Sequence, residues 1–582
     1  MTQLAEHGTI AIPEATTGQP ATSLDDCDRA VADLAAQAKP WFDARPRELI
    51  PLLERLGDRV VEIGPEWVAA LCDAQRIPVD QPLSAEEWST PMAVGRYARL
   101  LVRSLTDIAA GRRPQPAGKP HPVGGGHTAV PVFPGEGIDK AVFSGFTAEV
   151  WLRRGVAAAQ ASERQAAAWF GEGTAGVSLV LGAGNQASIP VLDTLDRLFV
   201  ARHPVILKMN PVNDYNGPII AKLLAEFIDR GVVRIVYGGA EVGSHLVRHP
   251  DVADVHITGS DKTFEAIVFG GGKDGAKRKA SRTPVVTKPV TGELGNVSPT
   301  IVVPGPWTAK DVAFQAQNIT SMLTNNAGFN CIAMRALITW SGWKERDQLL
   351  GGVRDALRAS ADRYPYYPGA RDRWDTFVAA HPEAERYGAD GPGCVPWTMI
   401  PGLRPEADDD IAFTTEAFNG VFGEVGVDAT DPVDFIRKAV AFANDTLWGT
   451  LGCSLIVHPA SLKDPAVNRA VEQAVADLRY GTVAVNQWSA LGYIIGSTPW
   501  GAYPGHPIDD VQSGIGFVHN SLMYADDDIE KTVVRGPFKS PIKPPWFPDN
   551  KTGHISSRLV AEIMAKPSWA KVPKLMLAAM RG

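Results

Sequence analysis

Cysteine is scarce in this chain: there are five among 582 residues, at Cys27, Cys72, Cys331, Cys394 and Cys453. An odd number at wide spacing excludes a disulfide framework, and no CxxC or His/Cys cluster offers a zinc site. The sequence therefore predicts a reduced, cytoplasmic protein without a bound metal, in which any special cysteine is a candidate nucleophile. Net positive charge is also missing. The formal charge is −8, from 57 basic and 65 acidic side chains, which argues against general nucleic-acid binding. No apolar run approaches the roughly 18 residues of a membrane span. The opening MTQLAEHGTIAIPEA has no basic stretch followed by an apolar one, so no secretory signal is expected.

What is present reads as an α/β protein of several domains. Residues 1–24 are polar and are expected to be disordered. From Leu24 to Gly111 apolar residues recur at helical spacing, and RRPQPAGKPHPVGGGH then breaks the pattern. TAVPVF and KAVFSGFTAEVWLRRG alternate as paired strands do. From Val177 to about Val303 short apolar runs end in small-residue turns and lead into helices. VSLVL leads into GAGN, PVILK into NGPIIAKLLAEFIDRG, VVRIVYGG into EVGSHLVRHP, and ADVHITG into SDKTFEAIVF. This is a parallel sheet covered by helices, whose ligands bind beyond the carboxyl ends of the strands. A second alternation of helices and strands runs from Asn318 to Val485. Within it the irregular, aromatic stretch 364–410 reads as a surface insertion. The end is electrically distinct: residues 531–582 carry a net +8, against −16 for the rest, together with Trp546, Phe547 and Trp569.

Four constellations can carry chemistry. In TNNAGFNCIAMR, Cys331 follows polar and permissive neighbours, in a loop whose N–H groups can face a ligand; Cys72 and Cys453 sit in apolar contexts and read as packing. In VTGELGNVSP, Glu293 lies between apolar runs, where desolvation would raise its pKa toward that of a general base. In VSLVLGAGNQASIP, Asn185 follows a Gly-rich turn, from which its amide can donate to an oxyanion or cap the next helix. In VHITGSDK, Gly259 and Ser260 close a strand and open a helix, a ready phosphate site.

Taken in order and spacing, these motifs resemble the aldehyde dehydrogenase superfamily over roughly residues 90–535. VILKMNPVN is similar to the family's strand ending in the cofactor-contacting lysine, here Lys208. TGELGNVSP resembles ELGG-x-SP and puts the general base on Glu293; NAGFNC resembles GQxC and puts the nucleophile on Cys331. TTEAFNGVF resembles E-x-F-G-P, with Glu416 on a ribose and Phe418 beside it. The resemblance implies NAD or NADP as cofactor, held by Lys208, Asn210, Pro211, Gly259, Ser260, Leu294, Glu416 and Phe418. It implies a Rossmann-type nucleotide-binding domain over 121–290 (with a strand arm near 128–153) and an α/β catalytic domain over 291–505. A helical region and linker over 1–120 precede them, and 506–582 follow as an oligomerisation arm and basic tail.

The mechanism implied is thiolate attack on an aldehyde, with the oxyanion held by the Cys331 N–H and the Asn185 amide. One such donor contributes on the order of 3 kcal/mol. Hydride loss then gives a thioester, and Glu293 activates water to hydrolyse it to a carboxylate. The departures from the family are specific. The acid that in many members accepts the ribose hydroxyls is Pro211, which predicts a preference that is relaxed or tilted toward NADP. GAGN and KMNP resemble acyl-CoA reductases and CoA-acylating members, the alternative to a hydrolytic enzyme; a non-catalytic scaffold of the same fold is the second alternative. Trp488, Leu491 and Tyr493 are expected to border the substrate tunnel and to favour an apolar aldehyde. DIEKTVVRG sits where family members add a strand to a neighbour's sheet, which implies a homo-oligomer, dimer or tetramer. The tail's aromatics would then brace the dimer, in preference to contacting an anionic membrane.

Overall fold

A computed structural model describes residues 7–582. Among the described residues two large sheets carry the fold. The first has six strands, ordered Gly514–Ile515, Val290–Glu293, Val252–Thr258, Val177–Leu181, Val205–Lys208, Val233–Val236, all parallel except the first. VSLVL and VILK are buried along their whole length, as parallel strands covered on both faces must be. Helix Leu24–Asp43 starts at Ser23, whose side chain caps the Asp26 N–H, and packs Cys27, Val31 and Leu34 against one face of this sheet. Helices Pro46–Ala74 and Ser89–Ala109 cover the other face with Ile189–Asp196. The chain steps outward from Val177–Leu181 to Val233–Val236, then crosses back to Val252–Thr258. That reversal opens a crevice beyond the carboxyl ends of the two central strands, at Gly182–Asn185 and Gly259–Ser260.

The second sheet has eleven strands, in the order Glu385–Tyr387, Trp397–Leu403, Val421–Val427, Met334–Trp340, Ser298–Val302, Gly452–Ile456, Thr482–Val485, Ile529–Arg535, Thr147–Leu152, Thr128–Phe133, His121–Pro122. The domain limits expected from sequence shift accordingly. Val290–Glu293 belongs to the nucleotide-side sheet, so a boundary at 290/291 would cut a strand, and 128–152 belongs to the second sheet.

Four expectations are corrected. The strand Ile529–Arg535 does not reach for a neighbour. It pairs parallel with Thr482–Val485 and antiparallel with Thr147–Leu152 of its own chain, so both its edges are taken, and the oligomer expectation loses the strand on which it rested. The basic tail follows that strand back onto its own chain. Helix Gly553–Ala565 lies against Ser89–Ala109, where Arg99 Nε donates to the Met564 carbonyl at 2.9 Å. Phe547 is buried on Phe314 (ring centroids 5.1 Å apart), and Trp546 is half-buried in the same chain; only Trp569, 62% exposed, stays outside. Residues 364–410 are no surface insertion. They hold helix Ala370–Ala380 and two strands of the large sheet, because Tyr367, Trp374 and Trp397 bring too much apolar area to leave in water. Lastly, residues 7–23 are ordered: Gly8–Thr9 pairs with Thr415–Glu416, and the Gly18 and Gln19 amides donate to Asp214. The first six residues of the stretch expected to be disordered lie outside the described residues.

Candidate active site

Helix Ala309–Thr324 ends in a turn with three consecutive left-handed residues, Asn326 (φ 53°), Ala327 (54°) and Gly328 (81°). Two of them are not glycine, a conformation that the surroundings must enforce. The turn delivers Cys331 just before strand Met334–Trp340. Its Sγ donates to Oε1 of Glu293, at 3.4 Å. Glu293 ends strand Val290–Glu293, is 2% exposed, and its Oε2 has no hydrogen-bond partner among the described residues. Burial pushes the Glu293 carboxyl up to about 7, against the opposing influence of the nearby Trp500 and His519 side chains and the Cys331 hydrogen bond. Burial, then the charges of Glu293 and Glu416, push the Cys331 thiol well above its ordinary value.

Two cavities meet here. One, of about 360 Å³, is walled mainly by apolar side chains, among them Trp88, Met92, Phe146, Trp488, Leu491 and Trp500. The other, of about 520 Å³, runs along the crevice of the six-stranded sheet. Asn185, Glu293 and Cys331 are the only described residues that line both. Trp488, Leu491 and Tyr493, expected on a substrate tunnel, all line the first. The Asn185 amide lies at the junction, where its Nδ2 donates to the Phe329 carbonyl at 2.9 Å, which orients the Asn185 side chain against the cysteine loop.

The residues assigned to a cofactor line the second cavity, with one exception. Lys208 is buried, and burial pulls its ammonium down to about 8 while Glu14 and Asp214 act the other way. Asn210 and Pro211 follow it, Asn210 Oδ1 accepting from the Val212 N–H. Gly259 and Ser260 open the nine-residue helix Asp261–Phe269; the Ser260 hydroxyl caps it by accepting from the Thr263 N–H at 3.1 Å. Glu416 is 2% exposed and accepts from the Asn296 N–H at 3.3 Å; burial pushes it up to about 8, opposed by Arg335. Gly295 makes this possible, since a Cβ there would sit 2.1 Å from Glu416 Oε2. Phe418 stands edge-on to Tyr367, centroids 4.9 Å apart. Leu294 is the exception. Its side chain is 1% exposed in the core under the nucleotide-side sheet and does not line the cavity, because alternation along the chain turns it away from its neighbours Glu293 and Gly295.

A model of the aldehyde dehydrogenase family matches residues 159–357. Aminoacetaldehyde dehydrogenase of Pseudomonas aeruginosa is 28% identical over 318 residues, 51% of this chain and 56% of that protein. Coniferyl aldehyde dehydrogenase of a Pseudomonas species is 28% identical over 33% of this chain and 35% of its own length. The chain thus spans about half or less of the length of these curated relatives. Among solved structures, the NADP-dependent glyceraldehyde-3-phosphate dehydrogenase of Bacillus halodurans, complexed with NADP, superposes with a TM-score of 0.60 at 17% identity, over 90% of this chain and 95% of that one. Residues 159–357 thus match the aldehyde dehydrogenase family, and the chain shares the fold of the solved dehydrogenases.

Sequence reasoning missed the amide and phenol groups that hold this site together. Asn326 Nδ2 donates to the carbonyls of Asn185 and Phe329, Gln186 Nε2 donates to Asn330 Oδ1 at 2.8 Å, and Tyr366 Oη donates to both Asn185 O and Asn326 Oδ1. The network ties the Asn185 turn to the Cys331 turn. Its only sequence signal was the aromatic density of YPYYP, which the flanking prolines disguised as a loop. Also missed were Thr9, Ile12, Pro13, Glu14 and Ala15, which line the second cavity.

Proposed function

We propose that this chain is an NAD(P)-dependent aldehyde dehydrogenase that oxidises an apolar aldehyde to a carboxylate through a thioester on Cys331. The observation that carries the reading is the junction of the two cavities at Cys331, Glu293 and Asn185. An apolar tunnel and a polar cleft of different character converge on one thiol, one carboxylate and one amide.

The cleft fits a nicotinamide dinucleotide. Its lining takes in Cys331, Glu416, the helix N-terminus at Ser260, Lys208 and Gly239. Glu416, held over Gly295, suits a ribose diol, and the amide-lined start of Asp261–Phe269 suits a diphosphate. When bound, the dinucleotide supplies the hydride acceptor.

The chain's own residues do the rest. Glu293 takes the proton of Cys331, with which it already shares a hydrogen bond. The thiolate sulfur bonds to the aldehyde carbon, and the carbonyl oxygen becomes an oxyanion beside the Asn185 amide. Once the carbon is oxidised, Cys331 carries an acyl group as a thioester. Glu293, deprotonated again, takes a proton from water as the water oxygen attacks; the C–S bond breaks and the carboxylate leaves. A buried carboxyl poised near 7 beside the thiol supports water as acyl acceptor, since a base there has little purpose when a thiol takes the acyl group. The aromatic and aliphatic tunnel wall supports an apolar substrate. A reduced Cys331 and four further free thiols suit the reducing cytoplasm.

The test is a panel of aldehydes with NAD and NADP, read by formation of reduced nicotinamide, followed by product identification with and without coenzyme A. Carboxylate formed without coenzyme A is expected. An absolute requirement for coenzyme A would select the acylating alternative, and no turnover with any aldehyde would select a scaffold.

A further inference from the structure

The N-terminal segment crosses the cofactor cleft as a strap. At one end Gly8–Thr9 lies parallel to Thr415–Glu416, and the Thr9 N–H donates to Asp261 Oδ1 at 3.1 Å, so the strap bridges the second sheet's side to the start of helix Asp261–Phe269. Ile12 packs into the cluster of Phe329, Tyr367 and Phe418. At the other end the Gly18 and Gln19 amides donate to Asp214 Oδ2 at 2.9 and 3.1 Å. Thr22 and Tyr237 exchange two hydrogen bonds there, each of 3.0 Å. Between these anchors residues 9 and 12–15 form a wall of the cleft that also holds Lys208, Asn210 and Pro211.

Glu14 is the one acid in the strap's residues 7–23. Its Oε1 accepts from the Ala240 N–H at 2.7 Å, directly over Gly239, where a Cβ would meet the same oxygen at 1.9 Å. The carboxylate is thus seated by a close approach that only glycine permits. Gly239 follows strand Val233–Val236, whose last residue is paired with Lys208 at the end of the adjacent strand. Glu14 and Lys208 therefore stand together beyond the carboxyl ends of neighbouring strands, beside the Pro211 that lacks a carboxylate. The other lining cation, Arg248, lies at the far end of helix Ala240–Arg248, about 12 Å away along its axis.

We propose that the strap is a built part of the nucleotide site and that Glu14 supplies the carboxylate missing at position 211. With Oε1 engaged by Ala240, Oε2 accepts from the adenosine-ribose hydroxyls, and the charge repels a 2′-phosphate, so the chain selects NAD over NADP. This rests on the dehydrogenase reading above, and it reverses the tilt toward NADP that Pro211 alone predicts.

The test is direct titration of NAD and NADP into the full chain and into Glu14→Gln, with a thermal melt to confirm folding. The parent is expected to favour NAD, and Glu14→Gln to lower the NAD/NADP affinity ratio roughly 10- to 100-fold, the range of a charged hydrogen bond. Introducing a carboxylate in Glu14→Gln/Pro211→Glu should restore NAD preference. A ratio that Glu14→Gln leaves unchanged, or a parent that favours NADP, overturns the role of Glu14 while leaving the dehydrogenase reading intact. A parent that binds neither nucleotide overturns the dehydrogenase reading itself, and this proposal with it.

Discussion

The Cys331 thiol donates its hydrogen bond to the Glu293 carboxylate across 3.4 Å, in a site where Glu293 is almost cut off from water and Cys331 is half-buried at the cavity junction. Two anions at that distance repel strongly in a dry site, so the pair holds one proton between them over much of the neutral range. The carboxyl is the member poised near neutrality, at about 7, while the thiol is pushed well above its ordinary value. In the proposed reaction, proton transfer from sulfur to carboxylate activates the nucleophile, and it needs Glu293 ionised beforehand.

The pH dependence follows from that sign. A carboxyl raised to about 7 is protonated below that pH and cannot act as a base. The steady-state rate should fall as pH drops through about 7 and level off above it. Glu293→Gln should remove this limb. It should also slow turnover by roughly 100-fold or more, the contribution of a general base, with no burst of reduced nicotinamide, because the same carboxylate activates the thiol. A variant that keeps both the limb and the parent rate would remove Glu293 from the chemistry.

Cys331→Ala should lower turnover at least about a thousandfold, since among the described residues no second nucleophile lines the junction of the two cavities. Nucleotide affinity should change by less than about threefold, because the lining from Glu416 to Lys208 is untouched. Rapid-quench kinetics and nucleotide titration on the same preparation separate the two effects. Residual oxidation above about 3% of the parent rate would reassign the nucleophile.

Gly295→Ala tests the seat of Glu416. The added Cβ would fall 2.1 Å from Glu416 Oε2, so the carboxylate must move away from the Asn296 N–H that now holds it. The expected result is a KM for the cofactor raised about tenfold, with a smaller change in kcat and a KM for the aldehyde nearly unaltered. An unchanged cofactor KM would show that Glu416 does not contact the cofactor.

The nucleotide-side sheet was legible because its strands are short, wholly apolar runs ending in glycine turns, a pattern that parallel packing imposes on the sequence itself. Cys331, Glu293 and Asn185 were legible through the motifs around them. Leu294 was assigned to the cofactor by its place in the same motif, yet a residue between Glu293 and Gly295 in an extended segment must face the other way. The strap was not legible. Residues 7–23 are too polar and too rich in small side chains to announce burial, and what fixes them is hydrogen bonding to Asp214, Tyr237 and Asp261, some 200 or more residues away in sequence. The Asn326–Asn330–Tyr366 network was hidden for a related reason: amides carry no periodicity.

The C-terminal tail gives the last prediction. The tail's aromatics were expected to brace a dimer, but Trp546 lines the apolar cavity of its own chain, as does the tail's Leu575. Helix Gly553–Ala565, held on Ser89–Ala109 by the Arg99–Met564 bond, keeps both in place. A wall made by the tail touches only substrates long enough to reach it. Trp546→Ala and Leu575→Ala should therefore raise KM for long apolar aldehydes by roughly three- to tenfold, the effect of losing about 1 kcal/mol of apolar contact. KM for short aldehydes, and kcat for both, should stay within about twofold. Equal losses for short and long substrates would mean that the tail acts on the site's overall geometry. No loss for either would mean that the substrate approaches Cys331 from another direction.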